Sequence, residues 1–234
     1  MKYSLTENSV FPLLEVACQK GEEIQLEPGA MVYHNGEVEL EGRMNSNGQS
    51  GIGGALRALG RSLSSGESFF ISTAKGLTDT AKIALAPSTP GAIKELNVGA
   101  EQWRLNTGAF LACDPSVRYN MERQKLSGAF FGGTGGLFVM QTTGSGTLLV
   151  NSYGDLLELT VGDKEMVIDN QHVVAWSTSL DYHIEVASGT FGFKTGEGLV
   201  NRFSGNGKVW IQTRNVQALA GVIDPFITKS SSSD

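Results

Sequence analysis

The stretch EEIQLEPGAMVYHNGEVEL (22–40) decides how this chain reads, because it recurs twice without a gap, as EQWRLNTGAFLACDPSVRY (101–119) and KEMVIDNQHVVAWSTSLDY (164–182). With Gly29, Gly108 and Gln171 as origins, six offsets are apolar in all three copies: Ile24, Trp103 and Met166; Leu26, Leu105 and Ile168; Met31, Phe110 and Val173; Val32, Leu111 and Val174; Val38, Val117 and Leu180; Leu40, Tyr119 and Tyr182. Residues two apart on a strand share one face, so the spacing predicts β-strands with one buried face. Pro28-Gly29, Thr107-Gly108 and Asn170-Gln171 break each run with turn-forming residues. Each block therefore reads as a two-stranded hairpin.

A second motif follows each block: SGESFFISTAKG (65–76), GGLFVMQTTGSGTLLVNSYG (135–154) and EGLVNRFSGNGKVWIQTRN (197–215). In the last two, GSG and GNG read as tight hairpin connections between strands, since glycine takes positive φ at no steric cost. The unit is then about four strands, repeated three times over about 10–86, 93–160 and 161–220. A chain of 234 residues can hold this in one domain. The serine-rich tail 229–234 has nothing to bury and is expected to be disordered.

The first copy carries an insertion at 46–63. There Ile52, Ala55, Leu56, Leu59 and Leu63 fall at helical spacing, with Arg57 and Arg61 on another face. Ile52, Leu56, Arg57, Leu59, Arg61 and Leu63 form the candidate interaction segment, with a partner chain, the protein's own core or weak contact with a membrane surface as alternatives.

Composition excludes more than it assigns. A net charge of −6 with no two consecutive basic residues argues against a nucleic-acid surface. No stretch suits a signal peptide or a transmembrane helix, and Cys18 and Cys113 form no CxxC pair, so a soluble, cytoplasmic protein is expected. The isolated His34, His172 and His183 show no metal-ligand spacing, with His172 and His183 the first positions to inspect should a metal be found. No nucleophile elbow occurs, and GIGGAL (51–56) and GGTGG (132–136) lack the remainder of a dinucleotide or P-loop motif. Cys18 and Cys113 read as core residues, Trp103, Trp176 and Trp210 as core or subunit-contact aromatics, and Glu37, Glu39 and Glu41 as the solvated face of a strand. No catalytic residue, cofactor or metal site is expected.

The run GEGLVNRFSGNGKVWIQTR (196–214), with SGESFF (65–70) and PGAMVY (28–33), resembles the mitochondrial biogenesis family named for altered inheritance of mitochondria and its bacterial relatives. The resemblance extends from about Phe11 to Ala220. It implies a fold similar to the tryptophan RNA-binding attenuator protein, a short double-stranded β-helix, here as three pseudo-symmetric repeats about a threefold axis. It implies no established enzymatic activity or cofactor. The expectation is a non-enzymatic structural or interaction protein that self-associates through strand edges or glycine-rich faces. A small-molecule-binding β-barrel is the alternative, and RNA binding a third reading by fold analogy alone.

Overall fold

Each nineteen-residue block folds as three strands rather than two. The computed structural model describes residues 1–6, 9–44, 70–106, 108–123, 138–187 and 198–227. The first block supplies β3 (Glu23–Leu26), β4 (Met31–His34) and β5 (Val38–Met44); the second supplies β9 (Trp103–Asn106), β10 (Phe110–Cys113) and β11 (Val117–Arg123); the third supplies β15 (Met166–Asp169), β16 (Val173–Ser177) and β17 (Asp181–Val186). The remaining strands are β1 (Lys2–Leu5), β2 (Leu14–Cys18), β6 (Phe70–Gly76), β7 (Ala81–Leu85), β8 (Ile93–Val98), β12 (Phe138–Gly144), β13 (Gly146–Asn151), β14 (Leu156–Val161), β18 (Leu199–Ser204) and β19 (Gly207–Gln212). A helix, α1 (Val216–Ile223), follows.

All ladders are antiparallel, and the strand orders are β1-β2-β7-β4, β5-β6-β3-β10-β13-β8, β11-β12-β9-β16-β19-β14 and β15-β18-β17. One scheme generates all four sheets. Six consecutive strands, β2–β7, β8–β13 or β14–β19, divide into two triplets: the third, sixth and first lie side by side, as do the fourth, fifth and second. The second triplet of one set joins the first triplet of the next, through β3–β10 and β9–β16. No join among the described residues links the third set back to the first.

Two sequence expectations change here. Strands β3 and β4 do not form a hairpin, because β3 pairs with β6 and β10 whereas β4 pairs with β7. The GSG link is no hairpin either: β12 pairs with β11 and β9, and β13 with β10 and β8. It carries the chain from one sheet to another. Gly144 has φ +84°, and a Cβ there would stand 2.3 Å from the Ser116 carbonyl oxygen, so both conformation and space require glycine. Strand β14, which starts at Leu156, pairs with β19 and so groups with the third set.

The adjacent apolar offsets also have a physical cause. Register shifts between Met31 and Tyr33, between Phe110 and Ala112, and between Val173 and Ala175. These are β-bulges at the same offset, and a bulge sets two residues of one strand against one of its partner. Alternation therefore breaks at Val32, Leu111 and Val174. At the origins, Gly29 and Gly108 both have φ +87°, whereas Asn170–His172 forms a 3-10 turn in which the Asp169 carboxylate accepts from the Gln171 N–H.

Three contiguous clusters make the core: one around Leu14, Ile24, Leu85 and Leu111, one around Trp103, Leu105, Phe110 and Leu148, and one around Trp176, Phe203 and Val209. Trp176 packs edge-on against Tyr182 and Phe203, with ring centroids 4.9 and 5.7 Å away.

Candidate functional site

The joins between sets share one geometry. In the first, Ala112 lies opposite Leu26 and Cys113 opposite Gln25; in the second, Ala175 lies opposite Leu105, Trp176 opposite Arg104 and Ser177 opposite Trp103. Counted from the origins, the residue three before always faces the residue four after. Side chains reinforce the second join: Asn106 Nδ2 donates to the Asn170 and Val173 carbonyls at 3.0 and 2.9 Å, and Arg104 reaches the Thr178 and Leu180 carbonyls. The equivalent of Asn106 in the first join is Glu27, whose N–H donates to the Leu111 carbonyl at 2.8 Å. Burial pushes the Glu27 carboxyl up to about 7.

The same strands are left open at the two ends of the succession. Among the described residues β4 pairs only with β7, and β15 only with β18. The cost shows in exposure. Val32 is 55% exposed, whereas its equivalents Leu111 and Val174 are 0% and 2% exposed; Met31 and Tyr33 are exposed beside it. On the other end Val167 is 49% exposed. Unpaired N–H and C=O groups flanked by apolar side chains form a template for another strand.

A further regularity escaped the sequence reading. Glu15, Glu95 and Glu158 occupy one position of the first strand of each set, facing Ala84, Leu149 and Trp210. Glu15 binds Lys82 at 2.9 Å and accepts from the Tyr33 hydroxyl at 2.6 Å; Glu158 binds Lys208 at 3.2 Å; Glu95 accepts from Tyr3 of β1. Its signal was Glu followed by apolar residues one and three places on: EVAC (15–18), ELNV (95–98) and ELTV (158–161). The spacing to the origin differs by one residue between the first copy and the others, which hid it from a gapless alignment.

The chemistry-bearing residues do not converge. His172 Nδ1 lies 2.7 Å from the Gln212 carbonyl and Nε2 3.0 Å from Asn215, His183 lies against Glu185, and His34 Nδ1 accepts from the Gly36 N–H. Among the described residues no three of His, Cys, Asp and Glu form a metal-holding group. Cys18 and Cys113 are buried free thiols, and burial pushes Cys113 up to about 12, far from a reactive thiolate. Trp103, Trp176 and Trp210 are buried. Glu39 and Glu41 are solvated, while Glu37 accepts hydrogen bonds from Thr78, Thr80 and Asn35 that hold its carboxyl low. The segment Ile52, Leu56, Arg57, Leu59, Arg61 and Leu63, the GIGGAL and GGTGG glycine runs and the serine-rich tail lie outside the described residues.

Two other features stand out. A cleft of about 280 Å³ beside the second join is lined in part by Asn106, Asn151, Asn170, Val173 and Val216, and the buried Asn170 Oδ1 has no hydrogen-bond partner. Next to it α1, capped by Asn215, buries none of its residues and exposes Val216, Leu219, Val222 and Ile223. No helix among the described residues is long and apolar enough to cross a membrane.

These features define an antiparallel all-β protein whose sheets are shared between successive strand sets, with β4 and β15, whose counterparts are joined elsewhere, left as edges among the described residues. The chain belongs to the mitochondrial biogenesis AIM24 family, whose model matches residues 3–214. It is 47% identical over 232 residues to an uncharacterised protein of Streptococcus pyogenes serotype M6, covering 99% of this chain and 93% of that relative. The X-ray crystal structure of a Streptococcus pyogenes protein is similar over 97% of this chain and 99% of that one, with 44% identity and a TM-score of 0.80.

Proposed function

We propose that this chain is a non-enzymatic, cytoplasmic structural protein that acts by associating with copies of itself, each six-strand set being a short double-stranded β-helix of the tryptophan RNA-binding attenuator protein type. The observation that carries this reading is the exposed apolar surface of β4, at positions buried in both other sets. A surface that the same pattern covers twice elsewhere is built to be covered. The division of each set into two triplets supports the β-helix description. Light scattering on the purified full chain tests the reading: a mass of several chains that persists on dilution to micromolar concentration is expected, and a monomer at every concentration overturns it.

The cleft at the second join favours a second reading, a small polar ligand held against Asn170 Oδ1 and Asn106. Native mass spectrometry of freshly purified protein checks it. A retained small molecule lost on Asn170→Leu substitution supports the ligand, and a bare chain mass removes it. RNA binding rests on fold analogy, and the net charge of −6 opposes it.

A further inference from the structure

Resting on the self-association reading, we propose that β15 of one copy pairs antiparallel with β4 of a second copy, with Ile168 opposite Tyr33, Val167 opposite His34 and Met166 opposite Asn35. The two joins inside the chain are the template. Both set the residue three before the origin against the residue four after it, and the same rule applied to the third and first sets gives this register. The β4 and β15 edges are the two halves of such a join, because β15 is the counterpart of β3 and β9, and β4 the counterpart of β10 and β16.

Backbone direction agrees with the assignment. The Glu27 N–H donates across the first join and the Thr178 N–H donates to the Gln102 carbonyl across the second, at 2.8 Å each. Alternation along the strands then turns the N–H and C=O of Val167 and His34 toward the open side. The neighbouring Asn35 N–H is spent inward, on the Lys82 carbonyl at 3.2 Å. The outward pair therefore has no ladder partner among the described residues, and its flanks are the exposed Val167, Val32 and Tyr33.

The occupant is a second copy of this chain. Any extended peptide satisfies backbone groups, but β15 carries Met166 and Ile168 at the offsets of Ile24 and Leu26, which share a core cluster with Leu111, and of Trp103 and Leu105, which share one with Val174. The contact is heterologous, a donor edge meeting a different acceptor edge, so copies follow one another head to tail.

Cross-linking tests the register. Single variants Met166→Cys and Asn35→Cys are mixed under mild oxidation. The positions form a non-hydrogen-bonded pair, whose Cα separation of about 4.5 Å lies within the range for a disulfide. Native Cys18 and Cys113 are buried and give little background. The expected result is a disulfide dimer containing one of each variant, formed at least tenfold faster than with Tyr33→Cys in place of Asn35→Cys. Equal rates for the two, or dimers of Asn35→Cys with itself, overturn the proposed pairing while an assembly seen by light scattering keeps the wider reading. A monomeric wild-type chain overturns both. Val167→Pro removes only an outward N–H and is expected to leave the circular dichroism of the chain intact while reducing the assembly to monomers; a folded variant of undiminished mass also overturns the pairing.

Discussion

Strands β10 and β4 occupy the same place in two successive sets, carry the same bulge and follow the same φ +87° glycine, yet one is wholly buried and the other mostly exposed. The difference lies in the neighbour: β10 has β3 against its outer edge and, among the described residues, β4 has none. Burial in this protein is thus decided by position in the succession as much as by the residues themselves. Phe110, Leu111 and Ala112 differ modestly in hydrophobicity from Met31, Val32 and Tyr33, and the environment does the rest.

Four measurements break or sharpen that contrast. Leu111→Ala removes a fully buried side chain and is expected to lower unfolding free energy by about 2–5 kcal/mol, whereas Val32→Ala stays within about 0.5 kcal/mol for a dissociated chain. Equal losses in denaturant titrations of the dissociated chain sink the idea that β4 is uncovered.

The next expected effect runs the other way. Asn201 is fully buried with both amide atoms unpartnered, while the equivalent position of the second set is Met140. An unpaired buried amide costs about 1–3 kcal/mol, so Asn201→Met should raise stability by about that amount in a calorimetric scan. A loss instead means that the amide is hydrogen-bonded in solution.

Gly108→Ala puts a side chain at φ +87° and is expected to cost about 1–2 kcal/mol despite open space around it. Gln171→Ala, at the corresponding 3-10 turn, meets no such strain and should cost less than half as much. Comparable denaturation midpoints for the two variants would show that the three origins are interchangeable after all.

Glu27 gives the most pH-dependent effect. Burial raises its pKa from 4.5 to about 7, so the folded chain holds this proton more tightly than the unfolded chain does. The associated stability is fully present below about pH 4.5 and is lost as pH rises through 7, at no more than about 1.4 kcal/mol per pH unit. Glu27→Gln should flatten the pH dependence of the melting temperature across that window and raise it above pH 7, bringing the first join closer to the second, where Asn106 is uncharged. An unchanged slope places the carboxyl in water.

The repeating blocks were legible in the sequence because their apolar offsets face the core in the second and third sets, from Trp103 and Leu105 to Val174 and Leu180. What misled was adjacency. Leu26 and Met31, or Thr142 and Thr147, are close along the chain and separated by glycine or a turn, the usual mark of a hairpin, yet the pairs lie in different sheets. Pairing is a matter of backbone geometry, and glycine in a link serves a crossover as well as a reversal. The doubled apolar offset at Val32, Leu111 and Val174 was visible without its cause, since a bulge leaves no mark on composition. Less still of the candidate site could be read. Met31, Val32 and Tyr33 look like core in every local sense, and only the pairing of their counterparts reveals that the cover is missing.

The recurring bulge has a consequence for how tightly such chains can hold one another. It ends the straight part of β4, β10 and β16, leaving joins two or three residue pairs wide, while ladders inside a set run to seven. A contact so short between separate molecules is readily reversible. Avidity changes this arithmetic: once several chains are linked, the final contact of a closed circle forms between ends already tethered together, at an effective concentration in the millimolar range. On the proposed pairing, closed circles would thus be long-lived although each contact is weak, and an incomplete one would shed subunits from its ends.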